Sequence, residues 1–276
     1  MILDWVCEVM HARAVRRVEP LQRLWGGYGE VLRMHLEGGR APTVVIKRVT
    51  PPPAEQDTIS DARKRRSYAV EQRFYRAYAP RCDAHCRVAR LFGDRHEGGN
   101  WWFALEDLDA AGFTERRDPA TGHALEACLA WLAAFHARFL GDPAEGLWPE
   151  GTYWHLATRL DELVIEPARA HALDRALAGA RFQTLLHGDA KEANFCFTRD
   201  GRSVAAVDFQ YAGRGCGMKD VAYLLHGHAD RYLDTYFHHL HAAAGENAEL
   251  EREWRALFPV AQRDFQRFLA GWRRGG

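Results

Sequence analysis

Three oxygen-bearing side chains set the chemistry open to this chain. Asp189 follows Leu185-Leu186-His187-Gly188, Asn194 comes five residues later, and Asp208 closes a second apolar run, Val204 to Val207, nineteen residues after Asp189. A carboxylate can take a proton from a hydroxyl. An amide and a second carboxylate are hard oxygen ligands that suit Mg²⁺ held against nucleotide phosphates. Asp200-Gly201 is a hairpin turn signal, so the spacing predicts Asn194 and Asp208 at the two ends of one β-hairpin. The plainer alternatives are a turn aspartate after His-Gly, an asparagine capping a turn and an aspartate ending a strand. Their joint occurrence at this spacing favours a site.

Such a site needs cations and a phosphate cradle, which the first third of the chain can supply. Gly26-Gly27-Tyr28-Gly29 is followed by period-2 alternation from Val31 to Leu36, then Gly38-Gly39, then the β-branched run Thr43-Val44-Val45-Ile46 ending in Lys47. This pattern predicts a glycine-tipped hairpin and a third antiparallel strand, stopped by Pro51-Pro52-Pro53, with Val49 to Asp57 as a loop. Backbone N–H groups of Gly27 to Glu30 can cradle phosphate oxygens. From Ser60 to Ala79, Tyr68, Glu71, Phe74, Tyr75 and Tyr78 recur at helical spacing and set one glutamate on an aromatic face. The basic block Arg63-Lys64-Arg65-Arg66 in the same helix is read as a solvated face. Val88 to Phe92 and Trp101 to Leu105 read as two further strands joined by a turn over Asp94 to Asn100.

The composition turns helical after Glu106-Asp107-Leu108. Leu125, Cys128, Leu129, Leu132, Phe135 and Phe139 mark one amphipathic helix, and a second spans about His155 to Leu177 with an interruption at Pro167. From Lys219 onward the chain is helical again, with breaks near Gly245 and Pro259. The expected architecture is α+β and bilobal: a β-rich lobe over residues 1–105, a connector over 106–112 and a mainly helical lobe over 113–276 that carries the hairpin.

Bulk properties agree with a globular protein. The chain has 276 residues, 47% hydrophobic and 27% charged, with 37 basic and 37 acidic side chains, so no net field draws it to nucleic acid or a membrane. Its six scattered cysteines read as reduced thiols and predict a cytoplasmic protein. The amino-terminal stretch carries Asp4 and Glu8 in its apolar part and is a poor signal peptide. Cys82-Asp83-Ala84-His85-Cys86 lacks a second ligand pair for a metal. The histidines of the tract His226 to His241 read as partly exposed helical residues. Trp148 and Trp154 are assigned to core packing by default.

LLHGDAKEANF, DFQYAGRGCGMKDVAYLL, FALEDL and WLAAFHARF together resemble the small-molecule branch of the protein-kinase-like superfamily, which holds the aminoglycoside phosphotransferases, choline kinases and ecdysteroid-kinase-like proteins. The resemblance covers roughly Leu24 to Leu225. It implies ATP and Mg²⁺ as cofactors and a hydroxyl of a small molecule as acceptor. Asp189 would be the catalytic base. Asn194 and Asp208 would hold the metal, and Lys47 would contact the α- and β-phosphates with Glu71 as its partner. Gly27, Tyr28 and Gly29 would cover the phosphates, and the backbone of Glu106 to Leu108 would meet the adenine edge. Lys191, two residues after Asp189, would neutralise the transferred phosphoryl group, its alternative being a surface lysine. His187 and Asp220 would brace the loops. Two departures stand out. Leu32 sits where protein kinases have a third glycine, and Gln210 replaces the glycine of Asp-Phe-Gly. With only Tyr211 to Met218 following, there is no room for a phosphorylated activation loop, which disfavours a protein substrate. The alternatives are a catalytically silent nucleotide-binding module and a metal-dependent phosphate hydrolase using Asp189 and Asp208.

Overall fold

The computed structural model describes residues 2–52, 59–160, 163–229 and 231–272. The expected loop between Val49 and Asp57 is described only as far as Pro52; the remainder lies outside these residues. The amino-terminal half builds a five-stranded antiparallel sheet in the order β1-β2-β3-β5-β4. Its strands are β1 (Ala14–Arg23), β2 (Gly29–Glu37), β3 (Thr43–Val49), β4 (Leu91–Glu97) and β5 (Asn100–Leu105).

Alternation along β3 sorts its residues between two cores. Val44 and Ile46 face an outer cluster with Leu32, Met34 and Ala104, whereas Val49 joins the main core. Lys47, on the same face as Val49, is thereby turned inward, paired across the ladder with Val31 and Phe103. The outer face is covered by an unforeseen helix, α1 (Ile2–Met10), which buries Trp5, Val6 and Met10. The apolar residues at its start are therefore a lid on the sheet.

The fourth strand differs from expectation. It runs from Leu91 to Glu97, and the turn is only Gly98-Gly99, whose φ values of 57° and 76° allow a tight reversal. Val88 instead makes an isolated bridge to Ala206 in the other lobe.

α2 (Ile59–Ala77) packs beneath the sheet, and its aromatic face enters the main core through Tyr68, Phe74 and Tyr75. The helical lobe contains α3 (His123–Arg138), α4 (Pro167–Ala178), α5 (Met218–Leu224), α6 (Tyr232–Ala244) and α7 (Ala248–Trp272). Two short antiparallel pairs complete it: β6 (Thr184–Leu186) with β9 (Gly213–Gly215), and β7 (Phe195–Phe197) with β8 (Val204–Ala206). The architecture is α+β and bilobal.

Two helix expectations are corrected by proline. Pro167 begins α4 at its first helical position, with Glu166 accepting from the N–H groups of Ala168 and Arg169, so Leu156 to Thr158 form only a 3-10 turn upstream. Residues 161 and 162 of the expected longer helix lie outside the described residues. Pro259 does not break α7. It lies on the exposed side, where water can satisfy the carbonyl it strands, while Trp254, Phe258 and Phe265 pin the opposite face. No described helix is long and apolar enough to cross a membrane.

Candidate active site

The site forms where β3, α2 and the β7–β8 hairpin converge. Lys47 Nζ donates to both carboxylate oxygens of Glu71, at 2.8 and 2.7 Å, and stands 3.5 Å from Asp208 Oδ1. Residues 24 apart meet because both are inward-facing: Lys47 by strand alternation, Glu71 by its place on the aromatic face of α2. Burial opposes the charge on Lys47, but Asp208 and Glu71 outweigh it and raise its pKa. Glu71 is pushed up to about 7, chiefly by burial, with Lys47 opposing and Asp208 adding to the rise.

Across the cleft, β6 delivers His187-Gly188-Asp189. Asn194 holds the loop by donating from Nδ2 to the Asp189 carbonyl at 2.8 Å and to Oδ2 at 2.9 Å. Among the described residues no group donates to its side-chain oxygen. Lys191 Nζ lies 3.4 Å from Asp189 Oδ2 with 44% of its side chain exposed. Burial raises the Asp189 pKa, with Lys191 opposing and Asp208 reinforcing, which makes it a stronger proton acceptor than a solvated aspartate. Among the described residues, Asp189 Oδ1 and Asp208 Oδ1 are buried without a hydrogen-bond partner. Asp208 Oδ1 and the Asn194 amide oxygen, at the two ends of one hairpin, are hard oxygen donors that fit a divalent cation and leave Asp189 Oδ1 for a proton.

Asp208 leaves β8 with φ of +68°, a region that costs a non-glycine residue energy and is commonest at functional sites. Burial works against its ionisation, but Lys47, then Lys64 and Lys191, hold its pKa below the ordinary carboxylate value. The next residue, Phe209, is fully buried and stacks on Phe74 of α2 at 3.7 Å between ring centres.

His187 and Asp220 brace the loop as the sequence suggested. His187 Nε2 donates to the Val207 carbonyl at 3.0 Å, and its Nδ1 accepts from the Asp189 N–H at 3.2 Å. Burial lowers its pKa and keeps it neutral for that arrangement. Asp220, fully buried on α5, accepts from the N–H groups of His187 and Gly188 at 2.7 and 3.0 Å.

The glycine turn between β1 and β2 has two different glycines at its centre. Gly29, at φ +134°, has no room for a side chain: a Cβ would stand 2.0 Å from the Arg48 carbonyl. Gly27, at φ +76°, faces open space. Tyr28 turns toward α2, where its hydroxyl donates to Asp61. At the connector, the Glu106 N–H is committed to the Arg90 carbonyl at 2.8 Å, and its carboxylate accepts from Arg87 at 2.6 Å. Leu108 is buried in the main core. Sequence reasoning passed over Asp107, a buried carboxylate that accepts from Arg33 of β2 at 2.7 and 3.0 Å and ties the sheet to the connector.

The basic block of α2 is corrected. Lys64 Nζ reaches inward to Gln210 Oε1 at 3.2 Å, Arg63 donates to the Thr158 carbonyl at 2.5 Å, and the Arg66 guanidinium lies 4.3 Å from the Trp148 ring centre. These side chains bridge to the other lobe, because α2 is sandwiched between the sheet and the helical lobe. Trp148 and Trp154 are buried, as expected, the former donating to the Gln210 carbonyl at 2.8 Å. Away from the cleft, Glu150, His155 and Asp174 each offer a ligand atom within 4.8 Å of the others, but Lys219 already occupies Glu150 at 2.5 Å and supplies the charge a cation would bring.

The sequence profile described as the phosphotransferase enzyme family matches residues 21–258. No curated protein matches the chain. Among solved structures, the macrolide 2'-phosphotransferase of Brachybacterium faecium is 18% identical, with a TM-score of 0.59 over 100% of this chain and 93% of that one. A putative fructosamine-3-kinase from Haemophilus somnus 129PT is 12% identical, with a TM-score of 0.55 over 96% and 90% of the chains. The GDP complex of an aminoglycoside 2'-phosphotransferase-IIIa is 12% identical, with a TM-score of 0.51 over 98% and 97%. At these identities the likeness is one of fold, and it extends over both lobes. The profile match spans the glycine turn, Lys47, Glu71 and the whole Asp189–Asp208 hairpin, and on that ground the chain belongs to the phosphotransferase enzyme family.

Proposed function

We propose that the protein transfers the γ-phosphoryl group of ATP, with Mg²⁺, to a hydroxyl of a small molecule. The observation that carries this reading is the convergence of Lys47 and Glu71, from the sheet lobe, with Asp208, Asp189, Asn194 and Lys191, from the helical lobe, joined by the 3.5 Å approach of Lys47 to Asp208. The family membership and the relatives named for phosphoryl transfer to small molecules support it.

In this scheme Asp189 accepts the acceptor's hydroxyl proton through the oxygen that Asn194 leaves free, and its raised pKa suits that task. Asn194 and Asp208 would hold Mg²⁺, which would supply positive charge against the nucleotide phosphates. Lys47, kept in place by Glu71, contacts the α- and β-phosphates. Lys191 is free to swing from Asp189 toward the transferred group. The backbone over Gly27 covers the phosphates from above. With the Glu106 N–H already engaged, the Glu106 carbonyl and Leu108 N–H are the connector groups assigned to the adenine edge.

Asp189→Asn tests the scheme. ATP affinity, measured by calorimetry, should stay within about threefold, while kcat for acceptor phosphorylation falls by about 10³ or more. Parental turnover in that variant would refute the base assignment. ADP release that needs no acceptor would favour hydrolysis instead.

A further inference from the structure

The helix α2 carries a second inward lysine that the scheme above does not use. Lys64 lies seven residues before Glu71, two turns along the same face, so its side chain enters the cleft beside the Lys47–Glu71 pair. It is half-buried. Its Nζ donates to Gln210 Oε1 at 3.2 Å and sits over two aromatic rings, 5.2 Å from the centre of Tyr68 and 6.0 Å from that of Tyr28. Among the described residues it makes no ion pair; the nearby carboxylates Asp208, Glu71 and Asp189 act on it only at longer range. An ammonium has three N–H donors, and a neutral amide with two ring faces leaves most of that capacity unused. Holding such a charge in a partly buried place costs free energy unless an anion arrives. Burial accordingly lowers the Lys64 pKa.

Gln210 explains how the lysine is kept there. Its Oε1 lies 3.1 Å from Ser67 Oγ, whose hydroxyl is shared with the Lys64 carbonyl at 2.7 Å, and its backbone carbonyl accepts from Trp148 at 2.8 Å, so side chain and main chain are each held. The glutamine that departs from Asp-Phe-Gly is therefore the bracket for Lys64. Tyr28 belongs to the glycine turn, and Asp208 is the assigned metal ligand, so the ammonium faces the space between the turn and the metal site.

We infer that Lys64 is a second phosphate-binding residue, contacting the terminal phosphate of the nucleotide while Lys47 holds the inner two. This rests on the proposed function, since it needs a nucleoside triphosphate in the cleft. It gives the departure from Asp-Phe-Gly a consequence. Gln210, in place of the glycine of Asp-Phe-Gly, positions a cation supplied by α2.

The test compares a non-hydrolysable ATP analogue with ADP. In Lys64→Met, analogue affinity should fall by about tenfold or more, the scale of one charge-assisted contact, while ADP affinity changes by less than about twofold. kcat should fall by about 10²-fold, and Tm should hold or rise, because an unpaired buried charge has been removed. Lys64→Arg should recover part of the analogue affinity. In the unaltered protein, the analogue but not ADP should shield Lys64 from an amine-reactive label read by mass spectrometry, a measurement independent of how any variant folds. Equal losses for analogue and ADP, or equal shielding by both, would overturn the assignment to the terminal phosphate. A lowered Tm with unchanged nucleotide affinities would make Lys64 a structural brace. If the unaltered protein binds neither nucleotide, the proposed function itself fails.

Discussion

The charge state of a single residue, Glu71, governs the Lys47 pair. Its pKa in the folded protein, about 7, lies above the ordinary 4.5, so between those values the folded state holds a proton that the unfolded chain has released. The stability this contributes is complete below about pH 4.5 and is lost as pH rises to about 7. Glu71→Gln removes the titration. Melting curves from pH 4.5 to 8 should show the parent losing Tm relative to the variant across that window and running parallel above it. Curves parallel throughout would mean that Glu71 titrates normally. The same variant should raise the KM for ATP by about tenfold, because Lys47 loses one carboxylate of its anchor. Type and spacing singled out Asp189, Asn194 and Asp208 in the sequence, while Lys47 and Glu71 drew on the family resemblance; the structure brings Lys47, Glu71 and Asp208 together. Lys64 was hidden because a basic residue beside three others looks solvated; only the placement of α2 between two lobes shows which of the four turns inward.

Elements divide the work of the glycine turn. Gly29 serves the β2–β3 ladder, where a Cβ would collide with the Arg48 carbonyl, and Gly27 faces open space. Gly29→Ala should therefore act on stability, by about 2 kcal/mol or more, through backbone clash and an unfavourable φ. Gly27→Ala should cost about 1 kcal/mol from its φ alone and show mainly as a raised KM for ATP. Thermal melts and nucleotide titrations on both variants separate the two roles, and equal effects of both kinds would count against the division. At this scale, strands with alternating burial were legible, as were α2 and α3. The ends of β4 and α7 were not. Polar residues extend β4 because Gly98-Gly99 can reverse in two residues, and α7 passes through Pro259 because packing of its buried face outweighs one missing hydrogen bond.

For the molecule as a whole, Phe209 links the two lobes. It stacks on Phe74 of α2 and contacts Tyr75, Trp131 and Phe135, so the helix carrying Glu71 and Lys64 rests on the residue next to Asp208. Phe209→Leu should lower Tm by an amount equivalent to about 1–2 kcal/mol, since an aromatic stack is replaced by a smaller side chain. It should also raise the KM for ATP, because α2 loses its seat against the loop that carries Asp208. A Tm loss with kinetics unchanged would show that lobe packing and site geometry are independent.

The sequence by itself carried the family and the class of fold. Carboxylate, amide and lysine at these intervals serve few reactions, and alternating and helical periodicities are local properties of the chain. Tertiary structure alone decided how the parts meet. It set Lys47 between two carboxylates, committed the Glu106 N–H to Arg90, joined Arg33 to Asp107, and aimed Lys64 at Gln210 across 146 residues. Contacts at that separation depend on which faces two lobes present to each other, and no local pattern encodes that.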